Sequence, residues 1–131
     1  MERTPVNPWP WSLHFGFDQA ELIEGHRRVL ICSGQTAVDA DGNPQHAGDM
    51  RGQIGMALDN LEAVLAEAEM TLANIVRLNT YTTDVDETLA NFEVLEARLG
   101  AVGVTPAMTL LGVTRLFLPE LMIELEATAA D

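Results

Sequence analysis

Two short alternating segments near the C-terminus constrain the fold of this chain most strongly. Residues 105–114 read TPAMTLLGVT and residues 121–128 read LMIELEAT, with apolar side chains recurring at alternate positions. A period of two is typical of β-strands that bury one face. We therefore expect two strands here. Met108 in the first and Glu124 in the second are the positions that bear most directly on function.

Two helical patterns precede these strands. The first helix begins near Asp49, whose side chain can cap the first turn, and its apolar residues follow the i, i+3, i+4, i+7 spacing of a helix on a core. The second covers about residues 87–99, with Asp84 or Asp86 as its cap and Gly100 as its end. We expect its buried side to consist of four apolar side chains: Leu89, Phe92, Leu95 and Leu99.

The remaining segments complete an α+β pattern. Strands are predicted at 28–33 and 75–83, with a turn at 39–44 that reads DADGNP. Residues 1–12 hold three prolines and two tryptophans and are predicted to form an irregular arm. Its tryptophans either pack on the domain or a neighbouring subunit, or form a lid over a pocket. The element order predicts a single domain, residues 1–131, in which a mixed sheet carries two helices on one face.

The other face of this predicted sheet is too apolar to be left exposed to water. We expect it to present Met108 and Leu110 beside Glu124. Contiguous apolar surface of this kind usually lies in an interface. A second copy of the chain is therefore expected to cover the face.

Charge and composition disfavour several classes of partner. The chain has 20 acidic and 7 basic residues, a net charge of −13, which repels the phosphates of nucleic acids and of anionic membranes. No apolar run approaches the ~18 residues of a membrane span, and the N-terminus lacks a secretion signal pattern, so we expect a cytoplasmic protein. One cysteine and three scattered histidines give no metal-binding spacing. We predict neither a metal nor a cofactor.

Glu124 is the strongest candidate for acid–base catalysis. Burial within an apolar strand would raise the pKa of its carboxyl toward the range useful for proton transfer. Glu126 shares its face, and two neighbouring carboxylates are expected to raise each other's pKa. The alternative is that Glu124 is a solvated or salt-bridged strand residue, with Arg115 as its partner.

Several stretches of the chain resemble the RidA/YjgF family, also called the L-PSP endoribonuclease family. They are ICSGQTAVDADGNP, ALDNLEAVLAEAEMTLANIVRLNTYTTDVD, TPAMTLLGV and IELEATA, and the resemblance covers about residues 13–130. It implies a chorismate-mutase-like α+β fold and a homotrimer with a small-molecule cleft between each pair of subunits. Archetypal members hydrolyse reactive enamines and imines, such as 2-aminoacrylate, to a keto acid and ammonia.

The resemblance also assigns roles to individual residues. Glu124 matches the glutamate thought to hold the attacking water, and Asn91 matches a helix asparagine near the cleft. Ser33 and Gly34 keep the strand end whose backbone lines the site. Phe17 stands where archetypal members carry a cleft tyrosine, so a hydroxyl is missing.

This chain departs from the family where a substrate carboxylate would bind. Archetypal members carry an arginine in a PARS-like motif, but here the motif reads PAMT and Met108 replaces the arginine, while Leu110 replaces a cleft cysteine. A thioether cannot form the bidentate, charge-assisted contact that arginine makes with a carboxylate. Activity on small amino-acid-derived imines should therefore be weak or absent. A neutral or cationic, more apolar ligand would suit the cleft better.

Three functions from different classes remain open. The first is an enzyme that uses Glu124 for imine or enamine hydrolysis, tautomerisation or cyclisation of another metabolite. The second is a non-catalytic trimer that binds a small ligand in the same cleft. The third, RNA cleavage, is disfavoured by the charge of −13 and by the lack of a basic stripe.

Overall fold

Six strands and three α-helices make up the structure, a computed structural model that describes residues 1–131. The strands are β1 (Glu2–Val6), β2 (Ala20–Glu24), β3 (Val29–Ile31), β4 (Ile75–Thr82), β5 (Ala107–Gly112) and β6 (Ile123–Ala130). The helices are α1 (Met50–Glu67), α2 (Val85–Ala90) and α3 (Glu93–Ala101), and 3-10 helices cover Pro10–Phe15 and Leu72–Asn74. The predicted α+β class is confirmed. None of the helices combines the length and apolar character that crossing a membrane requires.

Four strands form a mixed sheet in the order β3–β6–β4–β5. Strand β6 runs antiparallel to both of its neighbours, whereas β4 and β5 are parallel. The parallel pair is joined through α2 and α3, because parallel neighbours need a crossover connection. Strands β1 and β2 form a separate antiparallel pair.

One face of the four-stranded sheet packs on the helices and contains the core. The alternation predicted for β6 is confirmed, since Glu124 and Glu126 face away from the core while every second residue between and beyond them is buried. The core side chains of this strand are Ile123, Leu125, Ala127 and Ala129. From α1 they meet Ile54, Leu58, Leu61 and Leu65. Each fully buried leucine or isoleucine contributes roughly 1.5–3 kcal/mol of burial free energy.

The start of α1 fixes the chain that leads into β6. As predicted, Asp49 caps the helix, and its carboxylate accepts a hydrogen bond from the Gly52 amide at 3.0 Å. In the next turn the buried Gln53 side chain donates to the Glu120 carbonyl at 2.8 Å and accepts from the Met122 amide at 2.8 Å. These two bonds hold the segment immediately before Glu124.

The second predicted helix is divided into α2 and α3. Asp84 caps α2 as predicted, but the helix ends at Asn91, whose side chain donates to the carbonyl of Glu87 at 2.9 Å. An asparagine bonded to the backbone in this way competes with continued helix geometry. The change of axis leaves Leu89 55% exposed rather than buried. The chain leaves α3 after Ala101, and Gly103, not Gly100, adopts the left-handed conformation there, with φ of 71°.

Residues 1–12 are not the irregular arm that we expected. Strand β1 pairs with β2, with Pro5 opposite Glu21, and Pro10 opens the first 3-10 helix. Both prolines occupy tolerated positions, one in a strand that lacks a second neighbour and one in a first helical turn. The strand pairing joins segments separated by a whole helix, so it left no local pattern in the sequence.

Polar anchors attach the β1–β2 pair to the rest of the chain. The Arg3 guanidinium donates to the Glu21 carboxylate at 2.9 Å and to the carbonyls of Ala73 and Ile75 at 2.8 and 2.7 Å. Next to β2, the buried Asp18 carboxylate accepts from the Thr105 hydroxyl at 2.7 Å. The 3-10 helix between β1 and β2 is therefore held at both ends.

Candidate functional site

Glu124 lies in β6 on the open face of the sheet, the face turned away from the helices. It is directly opposite Tyr81 of β4 and is partly buried. Arg115 does not pair with it, because the Arg115 side chain donates to the carbonyls of Leu116 and Phe117. Among the ion pairs of the structure none involves Glu124. Its carboxylate is therefore available for a ligand or a water molecule.

The two carboxylates of this face have opposite proton affinities. Burial raises the pKa of Glu124, and the neighbouring charge of Glu126 raises it further. By contrast, the side-chain amide of Asn79 and the hydroxyl of Tyr81, both at 3.0 Å, hold the pKa of Glu126 below its usual range. The expected mutual rise was therefore wrong for Glu126, since two hydrogen bonds stabilise its charge. When the pKa values of two neighbouring carboxyl groups diverge, the difference indicates which group acts as acid and which as base.

At Gly34 the backbone of the chain lies against the side chain of Glu124. The amides of Cys32 and Gln35 bond to carbonyls of β6 at 3.0 and 2.7 Å, which leaves Ser33 and Gly34 as a bulge between them. A Cβ atom at Gly34 would lie 2.5 Å from the carboxyl carbon of Glu124. A residue with a Cβ atom here would therefore displace the Glu124 side chain. The structure thus brings together three predicted site residues: Ser33, Gly34 and Glu124.

A second feature is an apolar cavity of about 210 Å³ between β5, the α2–α3 junction and the first 3-10 helix. Three predicted ligand-binding residues line it: Phe17, Met108 and Leu110. The sequence did not assign Phe15, Leu89 or Phe92 to the cavity, although all three line it. The helix break, which turns Leu89 out of the core, could not be anticipated from helical spacing.

Trp11 completes the wall of this cavity. Its ring meets Phe15 and Phe17 edge to face, at centroid distances of 6.4 and 5.9 Å. Trp9, by contrast, does not line the cavity. Of the two roles considered for the N-terminal tryptophans, packing or covering a pocket, the position of Trp11 favours covering a pocket. Asn91 is not a lining residue, because its side chain is bonded back to α2.

The cavity and Glu124 lie on opposite faces of the sheet. Met108 is in register with the core residue Leu78 and packs against the core, whereas Glu124 points to the open face. The expectation that Met108 and Leu110 lie beside Glu124 was therefore wrong. Because side chains alternate, a one-residue change of register exchanges the faces, and separate strand patterns do not fix the register.

Comparison with known proteins identifies the family. The family model described as Endoribonuclease L-PSP matches residues 18–131. The protein mmf2, mitochondrial, of Schizosaccharomyces pombe is 33% identical over 99 residues, which are 76% of this chain and 75% of that protein. The RutC family protein YjgH of Escherichia coli is 31% identical over 116 residues, 87% of this chain and 86% of its own.

A solved structure agrees with these relatives. YyfB of Yersinia pestis, a protein of unknown function of the conserved Rid protein family, is 38% identical and matches with a TM-score of 0.85 over 99% of both chains. The family model and both relatives cover most of this chain, and the fold agrees over its whole length. The chain therefore belongs to the RidA/YjgF family, the L-PSP endoribonuclease family of the matching model.

Proposed function

We propose that this Rid-family protein transforms a small metabolite other than 2-aminoacrylate by acid–base chemistry at Glu124. The observation that carries the proposal is the state of that carboxylate, which is partly buried, lacks a cationic partner and has a raised pKa. A carboxyl with a raised pKa can both accept and return a proton. The reaction class is imine or enamine hydrolysis, tautomerisation or cyclisation.

Imine hydrolysis illustrates how one carboxylate suffices. Glu124 takes a proton from water as the water oxygen attacks the imine carbon. The proton then passes to the nitrogen of the resulting carbinolamine. Glu124 next takes the hydroxyl proton of this intermediate and returns it to the nitrogen, so that the carbon–nitrogen bond breaks and a carbonyl compound and an amine or ammonia are released. In a tautomerisation the same carboxylate would move a proton between carbon and nitrogen.

The proposed cleft lies between two copies of the chain. One copy cannot offer Glu124 and the aromatic cavity to the same small ligand, because they occupy opposite faces of one sheet. The open face also exposes Ile31 and Leu111, which favours its burial against a neighbour. The homotrimer implied by the family resemblance would pair the cavity of one subunit with Glu124 of the next, giving three clefts.

A non-catalytic ligand-binding trimer is the alternative. The cavity favours it, since seven of its nine lining residues are hydrophobic and none is charged. Such a cavity can bind a ligand without activating it. RNA cleavage, despite the description of the family model, is opposed by the net charge of −13.

The test uses 2-aminoacrylate generated by a PLP-dependent dehydratase, with pyruvate release as the readout. We expect no acceleration by the native protein and acceleration by the Met108→Arg variant, in which a carboxylate-binding cation is restored. Adding Glu124→Gln to Met108→Arg should abolish that rate, whereas adding Glu120→Gln, an exposed glutamate, should not. Equal rates with and without Glu124 would refute its catalytic role. Acceleration by the native protein would instead make 2-aminoacrylate a substrate.

A further inference from the structure

We infer that the apolar cavity receives an uncharged, apolar group of the ligand, such as an aryl group, and that Trp11 determines this selectivity. The inference rests on the proposed function only in assigning a small molecule to this cleft. It is carried by three observations: the chemistry of the cavity lining, the size of the cavity and the aromatic contacts of the Trp11 ring.

The lining can accommodate one polar contact and no charge. Its only polar residues are Thr80 and Thr109, and the Thr109 hydroxyl already accepts a hydrogen bond from Arg77 at 2.9 Å. Thr80 is 1% exposed and its hydroxyl has no partner. A buried hydroxyl left without a partner costs about 1–3 kcal/mol. A ligand with one hydrogen-bonding group beside its apolar part would supply that partner.

A charged group in this cavity would find no partner for its charge. No lysine, arginine or histidine lines the cavity to pair with an anion, and no carboxylate lines it to pair with a cation. An ion transferred to such surroundings loses more free energy than an apolar group of the same size. The cavity is therefore expected to distinguish ligands of one shape by their charge.

The cavity volume of about 210 Å³ limits the group that fits. An apolar cavity of about 150 Å³ accepts benzene in another protein. A single substituted ring or a branched alkyl group is thus the expected occupant, and a fused polycyclic ligand is not.

Trp11 is the wall residue with the largest ring, and its position is defined from both sides. The edge-to-face contacts with Phe15 and Phe17 orient it, and the Arg3 and Asp18 anchors hold the segment that carries it. Aromatic contacts of this kind add about 0.5–1.5 kcal/mol beyond the area that they bury. Removing the Trp11 ring would open the cavity without touching the sheet.

Three probes of similar size and different charge test the inference: benzyl alcohol, benzylammonium and benzoate. In the Trp9→Phe variant Trp11 is the remaining tryptophan, so its fluorescence reports occupancy of the cavity. We expect benzyl alcohol to change this emission and to bind about tenfold more tightly than either ion. Equal or tighter binding of benzoate or benzylammonium would overturn the uncharged-group assignment, and so would an absence of any binding.

Paired variants test the role of Trp11 by ligand-observed NMR titration. Trp11→Ala should weaken benzyl alcohol binding about tenfold, whereas Trp9→Ala should leave it unchanged, because Trp9 does not line the cavity. In Met108→Arg the order should reverse in favour of benzoate. Unchanged binding in Trp11→Ala would exclude Trp11 as the determinant. Binding is measured without turnover, so this result would stand even if Glu124 proved not to be catalytic. Likewise, a failure of the binding test would not bear on the catalytic role of Glu124.

Discussion

Glu124 and Glu126 lie two residues apart on one face of β6, and their partners make them chemically different. Glu126 has Asn79 and Tyr81 as hydrogen-bond donors, while Glu124 is partly buried, has no side-chain donor and lies against the backbone of Gly34. The first carboxylate is stabilised as an anion and the second is not. Proton transfer is therefore expected from Glu124, and Glu126 acts on it only through its charge.

Replacing each carboxylate by glutamine should change stability with opposite signs. The pKa of Glu124 is higher in the folded chain than its ordinary 4.5, so its ionisation destabilises the fold as pH rises above that value. Glu124→Gln should then exceed the native protein in unfolding free energy at about pH 7, by less than about 1 kcal/mol, and lose this gain near pH 4.

Glu126→Gln should behave in the reverse way. Its pKa is lowered in the fold, so the stabilisation that it contributes is present above 4.5 and is lost as pH falls through the folded-state pKa. We expect this variant to be less stable than the native protein at about pH 7 and equally stable in acid. Urea unfolding of both variants at the two pH values measures the signs, and changes of the same sign would contradict the assignment.

Gly34→Ala tests the close approach of backbone to Glu124. The added methyl would collide with the carboxyl group, so we expect Glu124 to move and the 2-aminoacrylate turnover of the Met108→Arg variant to fall at least about tenfold when Gly34→Ala is added. Gly55→Ala in α1 is the matched control, since nothing lies within 4 Å of its added Cβ. That change should stabilise the helix by about 0.5–1 kcal/mol. Full activity of Gly34→Ala would show that the position of Glu124 is not critical.

At the scale of elements, the sequence predicted those features that depend on local pattern. The alternation of β6, the Asp49 cap and the span of β4 all follow from residue type and spacing. Two features depend on pairing between separate segments and were not predicted correctly: the register that separates Met108 from Glu124, and strand β1. The helix break at Asn91 was missed for a local reason, because the bond from its side chain to the Glu87 carbonyl is not visible in the apolar spacing of a helix. The residues of the candidate site could therefore be named, but their division between two faces could not.

Strand β1 is predicted to depend on the side chain of Arg3. Arg3→Met would leave the Glu21 carboxylate, which is 5% exposed, without its cation and would free two carbonyl groups. We expect a loss of about 2–4 kcal/mol in unfolding free energy, with faster hydrogen exchange of the β1 and β2 amides. The Arg3→Met, Glu21→Leu double variant should be less affected than Arg3→Met alone, because no buried charge is left unpaired. Native-like exchange in Arg3→Met would show that backbone pairing alone holds the strand.

At the scale of the whole molecule, the open sheet face carries Ile31, the most exposed of the large hydrophobic side chains. Ile31, which is 81% exposed, lies on the same face as Glu124 through its pairing with Thr128. In the proposed trimer Ile31→Asp should dissociate the subunits, since a carboxylate would enter a buried face that already carries Glu124 and Glu126. Analytical ultracentrifugation should then show a monomer for this variant in place of a trimer. Leu22→Asp, on the separate two-stranded sheet, is the control and should stay trimeric, and a native protein that sediments as a monomer would refute the proposed assembly.

The separation of Glu124 from the aromatic cavity by the sheet also has a genetic consequence. In the proposed trimer a Glu124→Gln chain keeps an intact cavity and a Trp11→Ala chain keeps an intact carboxylate, so the two impaired alleles should complement each other when their products co-assemble. With random mixing, about a quarter of the clefts would receive both intact parts. Two alleles damaged on the same side of the sheet would restore none, so a cross between mutants would map each residue to its side of the cleft.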